Sequence, residues 1–461
     1  MSNNVSEWSR ALKVEFVNDF SHLLRLEPQW QALVEASAQP GPMLAPDWAM
    51  TWWKYYRSGR LLAVGIFRKD DEIVGLAPLC RRIFSYRPGI PFRRLELMGS
   101  SGDEADGVCG EYLAPIALAG SEADVARAFC AALAQNLFGP WDELVLELMD
   151  GEGAMTAPLI DALQAIDGGL TCRTTTEAWY LPLPDDWNSF LQTVHGKRRN
   201  WFRRTWKDFL AWVGDKGYAV ERARTPDDMR TGMRILSELH VERWHEEGHG
   251  GAFVSPRFAG FHQEYATRIL KRGQLDLLWL TVGGEPVAAH YSFVSGGKVY
   301  FYQSGRKMGV PANVRLGIVM FILAIQDAMS RGLREYDFLG GDSAYKSLFT
   351  TRTRPLVEVR VARPSLRETT RLTLHTAVNA ARRLSVSVRQ LASRPASTGG
   401  ATADHGTTCL KTPRARSSSQ FLPGTRARAF SAAGTWVHRP PSSRSVVHRR
   451  YRRQSGTPAQ E

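Results

Sequence analysis

Apolar residues change period along the second half of the chain, and the changes outline its elements. Leu277 to Val282 and Pro286 to Val294 read as the strands of a hairpin turning on Gly283-Gly284, and Lys298 to Gln303 reads as a third strand. An apolar helix is predicted from Asn313 to Ser330, and Arg334 to Leu339 returns as a strand. The chain then turns on Gly340-Gly341 and presents an acid, a phenol and an amine in quick succession: Asp342, Tyr345 and Lys346. Strand–helix–strand with a polar, Gly-rich exit is how α/β domains build sites at the carboxyl ends of strands.

The first half repeats the theme. Leu23, Leu26, Trp30, Leu33 and Val34 recur at helical spacing, predicting one helix from Asp19 to Ala36. Asp47 reads as the N-cap of an aromatic-rich helix from Trp48 to Arg57. Leu61 to Phe67 and Ile73 to Leu79 read as strands around Lys69-Asp70-Asp71-Glu72. A strand near Arg94 to Met98, a helix at Glu122 to Phe138, a strand at Glu143 to Leu148 and a short helix at Pro158 to Ile166 follow. A second unit starts near Trp179, with a helix from Asp186 to Val194 and a basic helical stretch over 197–207. The strand Tyr218 to Arg222 precedes helices at Pro226 to Trp244 and Pro256 to Lys271, and Pro355 to Val361 is the last strand. Strand, polar turn and strand recur at Ile66 to Ala77 and Leu280 to His290, so duplication of one α/β unit is expected.

Length alters this picture little: 461 residues make two domains the default and leave three open. The net charge of +13 is uneven, because residues 395–461 hold eleven Lys/Arg against Asp404 and Glu461, which is nine of the thirteen. From Pro395 onward Ser, Thr, Pro, Gly and Arg dominate without periodicity, which predicts a disordered basic tail; 365–394 reads as a basic amphipathic helix. Five scattered cysteines argue against a disulfide framework. No secretory pattern opens the chain, and the longest apolar run, Leu316 to Ile325, falls well short of the roughly 20 residues a membrane span needs. A cytoplasmic protein without a membrane span is the expectation.

Several segments together carry a resemblance. They are Lys197-Arg198-Arg199-Asn200-Trp201-Phe202-Arg203-Arg204, His240…Arg243-Trp244…Gly248…Gly251-Ala252-Phe253, Pro286-Val287-Ala288-Ala289, Val299-Tyr300-Phe301-Tyr302, and Asp337-Phe338-Leu339-Gly340-Gly341-Asp342…Tyr345-Lys346. In order and spacing they resemble the GNAT-superfamily acyltransferases of the CelD-like, FemAB-related type, over roughly residues 15–363. The resemblance implies an α/β fold of two tandem GNAT-like domains with mixed central sheets, expected at 1–175 and 176–364. It implies N-acyl transfer from acetyl-CoA or another acyl-CoA to the amine of a small molecule or saccharide, with the cell envelope as the suggested setting. The alternatives are an aminoacyl-tRNA-dependent, FemAB-like transferase and a nucleic-acid-binding protein. The family's pyrophosphate loop, Arg/Gln-x-x-Gly-x-Gly/Ala, meets Arg306-Lys307-Met308-Gly309-Val310-Pro311 here, with proline in the last place.

Candidate site residues follow. Asp342 would orient or deprotonate an amine, or else cap the short helix bearing Tyr345, which occupies the family's acid position. Arg306, Lys307, Gly309, Arg315 and Lys346 would hold donor phosphates, although Arg315 also reads as a solvated first-turn residue. His290 faces either a cleft or the core. The basic stretch 197–207 interleaves Trp201, Phe202 and Trp206, which suits either nucleic acid or an amphipathic helix with its rings turned inward. His245-Glu246-Glu247-Gly248-His249 spells a zinc-protease motif, but Gly248 and the glycines after it argue for a helix end instead, so no metal is expected.

Overall fold

The computed structural model describes residues 12–377 apart from 101–103, 167, 247, 249 and 342. Expectations for the tail at 395–461, and for the end of the 365–394 helix, lie outside the described residues; 366–377 is helical. The first half runs β1 (Lys13–Val17), α1 (Phe20–Arg25), α2 (Glu27–Glu35), α3 (Pro46–Tyr56), β2 (Arg60–Leu62), β3 (Val64–Lys69) and β4 (Glu72–Ala77). It continues with β5 (Leu79–Tyr86), β6 (Ile90–Leu97), β7 (Ile116–Ala117), α4 (Glu122–Ala134), β8 (Glu143–Asp150), α5 (Thr156–Leu163) and β9 (Gly169–Pro182). The second half runs α6 (Trp187–Thr193), α7 (Gly196–Val213), β10 (Tyr218–Arg222), α8 (Pro226–Glu246), α9 (Pro256–Lys271), β11 (Leu275–Val282) and β12 (Glu285–Ser295). It closes with β13 (Lys298–Arg306), α10 (Leu316–Ser330), β14 (Glu335–Gly340), α11 (Lys346–Phe349) and β15 (Thr353–Ala362).

Local chemistry corrects two expectations. The single helix over 19–36 is two, because Pro28 in the first turn of α2 starts a new helix after Leu26, while Asp19 caps α1 through Ser21 and His22. Asp47 does not cap α3: Ala45 stands at the cap and Pro46 at the first helical position. Asp47 is buried and pairs with Arg268 of α9 (3.0 Å) and with Arg272 at the end of that helix, tying the halves together.

Both halves contribute to one eleven-stranded sheet of order β10-β11-β12-β13-β14-β9-β15-β8-β6-β5-β2; β1, β3, β4 and β7 form a smaller one. Each half contains a short parallel pair that then diverges. β6 and β8 match at Arg94↔Glu143 to Glu96↔Val145, and β13 and β14 at Lys298↔Glu335 to Tyr300↔Asp337. Beyond the pair, β8 and β14 carry the same irregularity, a leucine with positive φ: Leu148 (φ 54°) and Leu339 (φ 58°). The two halves are tandem copies of one mixed α/β unit. Their last strands are exchanged: β9, from the first half, pairs with β14, and β15, from the second, pairs with β8. The boundary expected at 175/176 falls inside β9. α10 is apolar nearly all round because it is enclosed, lying against β11, β12, β13, α6 and α7.

Candidate active site

The divergence of β13 from β14 opens a cavity of about 380 Å³ at the carboxyl end of β13 and the start of α10. His290 comes from β12, Ser304 and Arg306 from the end of β13, and Arg243 from α8. Val310 to Ala312 supply the loop wall, Leu316 to Ile318 the first turn of α10, and Tyr345 closes one side. Gly305 lets α8 come this close. A Cβ there would sit 2.7 Å from the Leu239 Cβ and 2.8 Å from the His240 nitrogen. The His240 Nδ1 bonds the Ser304 carbonyl at 3.0 Å, and the Met308 N–H donates to Glu242 at 3.0 Å, so strand end and loop are both moored to α8.

The interior of the cavity is aromatic. Phe321 of α10 stacks on Tyr345 (4.9 Å between centroids, 23° between planes) and meets the His290 ring at 4.4 Å. His290 also packs on Phe301 at 4.8 Å. Both His290 nitrogens and the Tyr345 hydroxyl are buried without a hydrogen-bond partner among the described residues. Burial lowers the His290 pKa to about 3, so its imidazole is neutral near physiological pH. Burial pushes the Tyr345 phenol up, and Arg243 pulls the other way.

The mouth is cationic. Arg306 approaches the Met308 sulfur at 3.1 Å, and its side chain lies 3.6 Å from where a Cβ on Gly317 would be. Arg315 donates to the Asn313 carbonyl (3.1 Å), lies 3.9 Å from Asp208 and sits over the Trp201 ring of α7. The first-turn N–H groups of a helix carry partial positive charge, so the start of α10 reinforces these arginines. The matching helix of the first half, α4, carries Glu122 and Asp124 in its first turn instead; that position repels an anion.

The structure therefore brings together His290, Tyr345, Arg306 and Arg315. Other expected residues are placed elsewhere. Lys307 pairs with Glu285 at an exposed site (3.0 Å), and Gly309 (φ 69°) lies in the loop outside the cavity wall. Lys346 is fully buried: its ammonium donates to the carbonyls of Leu339 (2.9 Å), Gly340 (2.6 Å) and Gly341 (3.0 Å), bracing the end of β14 instead of meeting a phosphate. Asp342 lies outside the described residues, as do Glu247 and His249. His245 and Glu246 end α8, and Gly248 takes φ 78°. Among the described residues no cluster of His, Cys, Asp and Glu is arranged to hold a metal. On α7, Phe202, Thr205, Phe209 and Val213 are buried, and Trp201 and Trp206 pack against the same core. Arg243 and Phe321 escape a reading of the sequence alone. Arg243 belongs to the His240…Arg243-Trp244 pattern, but helical spacing does not reveal that α8 touches β13.

Residues 196–347 match the family model described as an acetyltransferase (GNAT) domain. The chain carries a GNAT-superfamily N-acyltransferase domain. Its fold is FemX-like: the crystal structure of FemX superposes with a TM-score of 0.50 at 11% identity, covering 75% of this chain and 96% of FemX. Other solved structures are similar as well. The C-terminal domain of a putative lysylphosphatidylglycerol synthetase from Agrobacterium fabrum gives 0.46 at 12% identity, covering 77% of this chain and 96% of that domain. A tandem GNAT protein from the clavulanic acid biosynthesis pathway gives 0.39 at 13% identity, covering 77% and 100%. No curated protein matches the sequence significantly. Within the described residues no helix is long and apolar enough to cross a membrane.

Proposed function

We propose that the protein transfers an acyl group from acetyl-CoA or another acyl-CoA to the amine of a small molecule or saccharide, in the cytoplasm. One observation carries this reading: the start of α10, three arginines and the Tyr345 phenol converge on a single cavity in the GNAT domain. Donor phosphates suit the mouth, among Arg306, Arg315 and the α10 N–H groups. Pro311 lacks the amide that the family loop would add there. The pantetheine arm suits the aromatic interior.

Tyr345 is protonated at neutral pH, as any phenol is, and burial raises its pKa further. As the acceptor nitrogen bonds to the carbonyl carbon and the carbon–sulfur bond breaks, the thiolate takes the phenolic proton. Neutral His290, with its depressed pKa, is too weak a base to deprotonate an ammonium ion; it suits a hydrogen bond to the donor.

A second reading, an aminoacyl-tRNA donor, is favoured by α7. Arg315 at the mouth stacks on Trp201, and Lys197, Arg203, Arg204 and Lys207 on the same helix are exposed. Thermal shift separates the two. Acetyl-CoA or a longer acyl-CoA should raise the melting temperature of the wild type, and Arg315→Ala should weaken that rise. A shift with charged tRNA alone would assign the second reading, and no shift with either would sink both.

A further inference from the structure

His290 lines the cavity beside Tyr345 but moves no proton there. It is 1% exposed, and neither imidazole nitrogen has a hydrogen-bond partner among the described residues. A neutral imidazole carries an N–H donor and a lone-pair acceptor, and leaving such groups unpaired in a protein interior is costly. An orphan of this kind in a cavity wall points to a ligand that completes it.

The residue facing His290 is also polar. His290 of β12 and Ser304 of β13 are direct cross-strand partners, so their side chains share one face of the sheet, and both line the cavity. Phe301 and Phe321 pack on the His290 ring at 4.8 and 4.4 Å, so the imidazole and the half-buried serine form a small polar spot in an aromatic wall. The place of this spot decides which part of a donor meets it. Going back along β13 from Arg306 at the mouth, Ser304 comes first and Phe301 next, against the His290 ring. Tyr345, which gives its proton to the sulfur, and His290 both touch Phe321, so little more than one ring separates them. The methylenes that join the sulfur to the rest of coenzyme A offer no hydrogen bond, and the phosphates belong at the mouth. The acyl chain is the part left to meet His290 and Ser304.

We propose that the acyl group this site selects is a short hydroxyacyl chain, whose hydroxyl, close to the thioester carbonyl, bonds His290 and Ser304. The inference rests on the acyl-transfer reading and names its donor class. A hydroxyl both donates and accepts, so it fits either tautomer of the ring and either orientation of the serine. A carboxylate or an ammonium ion could bond the same atoms only by carrying a net charge into an aromatic wall, at a far greater desolvation cost. That wall does not favour charge, since burial alone lowers the His290 pKa to about 3. An unsubstituted acyl chain fills the space and leaves both nitrogens unpaired.

Matched pairs of donors test this. Calorimetric titration of the full-length protein should show lactyl-CoA binding more tightly than propionyl-CoA, or 3-hydroxybutyryl-CoA more tightly than butyryl-CoA, by roughly 10-fold or more. His290→Phe should bring the members of that pair to equal affinity, and Ser304→Ala should narrow the gap. Equal affinities within both pairs in the wild type overturn the proposal. Succinyl-CoA or β-alanyl-CoA binding more tightly than either hydroxyacyl ester overturns it too. A second measurement does not depend on coenzyme A. In protein carrying ¹⁵N-histidine, the imidazole resonances missing from His290→Gln should move further with S-(3-hydroxybutyryl)- or S-lactyl-N-acetylcysteamine than with the S-butyryl and S-propionyl compounds. Equal movement, or none, overturns the proposal whatever the carrier. Failure of the acyl-CoA reading looks different: no CoA ester binds, while the His290 resonances still distinguish the hydroxyacyl thioesters.

Discussion

Phe321 sets the spacing of Tyr345 and His290, and burial favours the uncharged form of both: a phenol that stays protonated and an imidazole that stays neutral. Tyr345→Phe keeps the stack and removes the acid, so kcat should fall by about 100-fold while the KM for the donor changes little, as steady-state kinetics would show. His262 is a contrasting case. It is buried among Trp48, Phe258, Phe261, Tyr291 and Tyr302, both nitrogens lack partners among the described residues, and burial holds its pKa well below 6.5. A histidine depressed in this way binds its proton more readily in the unfolded chain. The stability it contributes is complete above the unfolded pKa of 6.5 and is lost as pH falls below it. His262→Phe should therefore be at least as stable as the wild type near neutrality and lose less stability at about pH 5, measured by urea unfolding at both values.

α8 against β13 is the contact on which the cavity beside Tyr345 depends, and Gly305 is its fulcrum. Gly305→Ala would press a methyl group against Leu239 and the backbone of Leu236 and His240. It should cost about 1–3 kcal/mol in urea unfolding and raise the donor KM, because Arg243 lies one turn further along the displaced helix. The apolar runs made β11 to β14 and α10 legible in the sequence, and with them the neighbourhood of Tyr345. β9 was not legible, because Thr171, Thr174, Thr175 and Thr176 give it no apolar face to betray a period. Lys346 carried a charge that suggested phosphate, but only the path of the chain shows its ammonium filling with three carbonyls. Glu111 offered no signal either, since it accepts the Gly340 N–H from a strand more than two hundred residues away.

Exchange of the last strands makes the halves interdependent, and the core agrees. Trp48 of α3 packs edge-on against Phe261 (4.9 Å) and Tyr265 (5.0 Å) of α9, and one apolar cluster runs through both halves. Arg257 pairs with Glu104 (2.6 Å) and with Asp106, adding charged contacts across the same junction. A fragment spanning 183–377 would keep the whole GNAT cavity wall yet leave β14 without β9, and β15 without either neighbour. Exposed edges of that kind favour aggregation over folding. The fragment alone should be insoluble or lack a cooperative unfolding transition, and co-expression with 12–182 should restore a soluble complex that melts as one unit. A fragment of 183–377 that unfolds cooperatively on its own would show that the second half needs neither the exchanged strand nor the shared core.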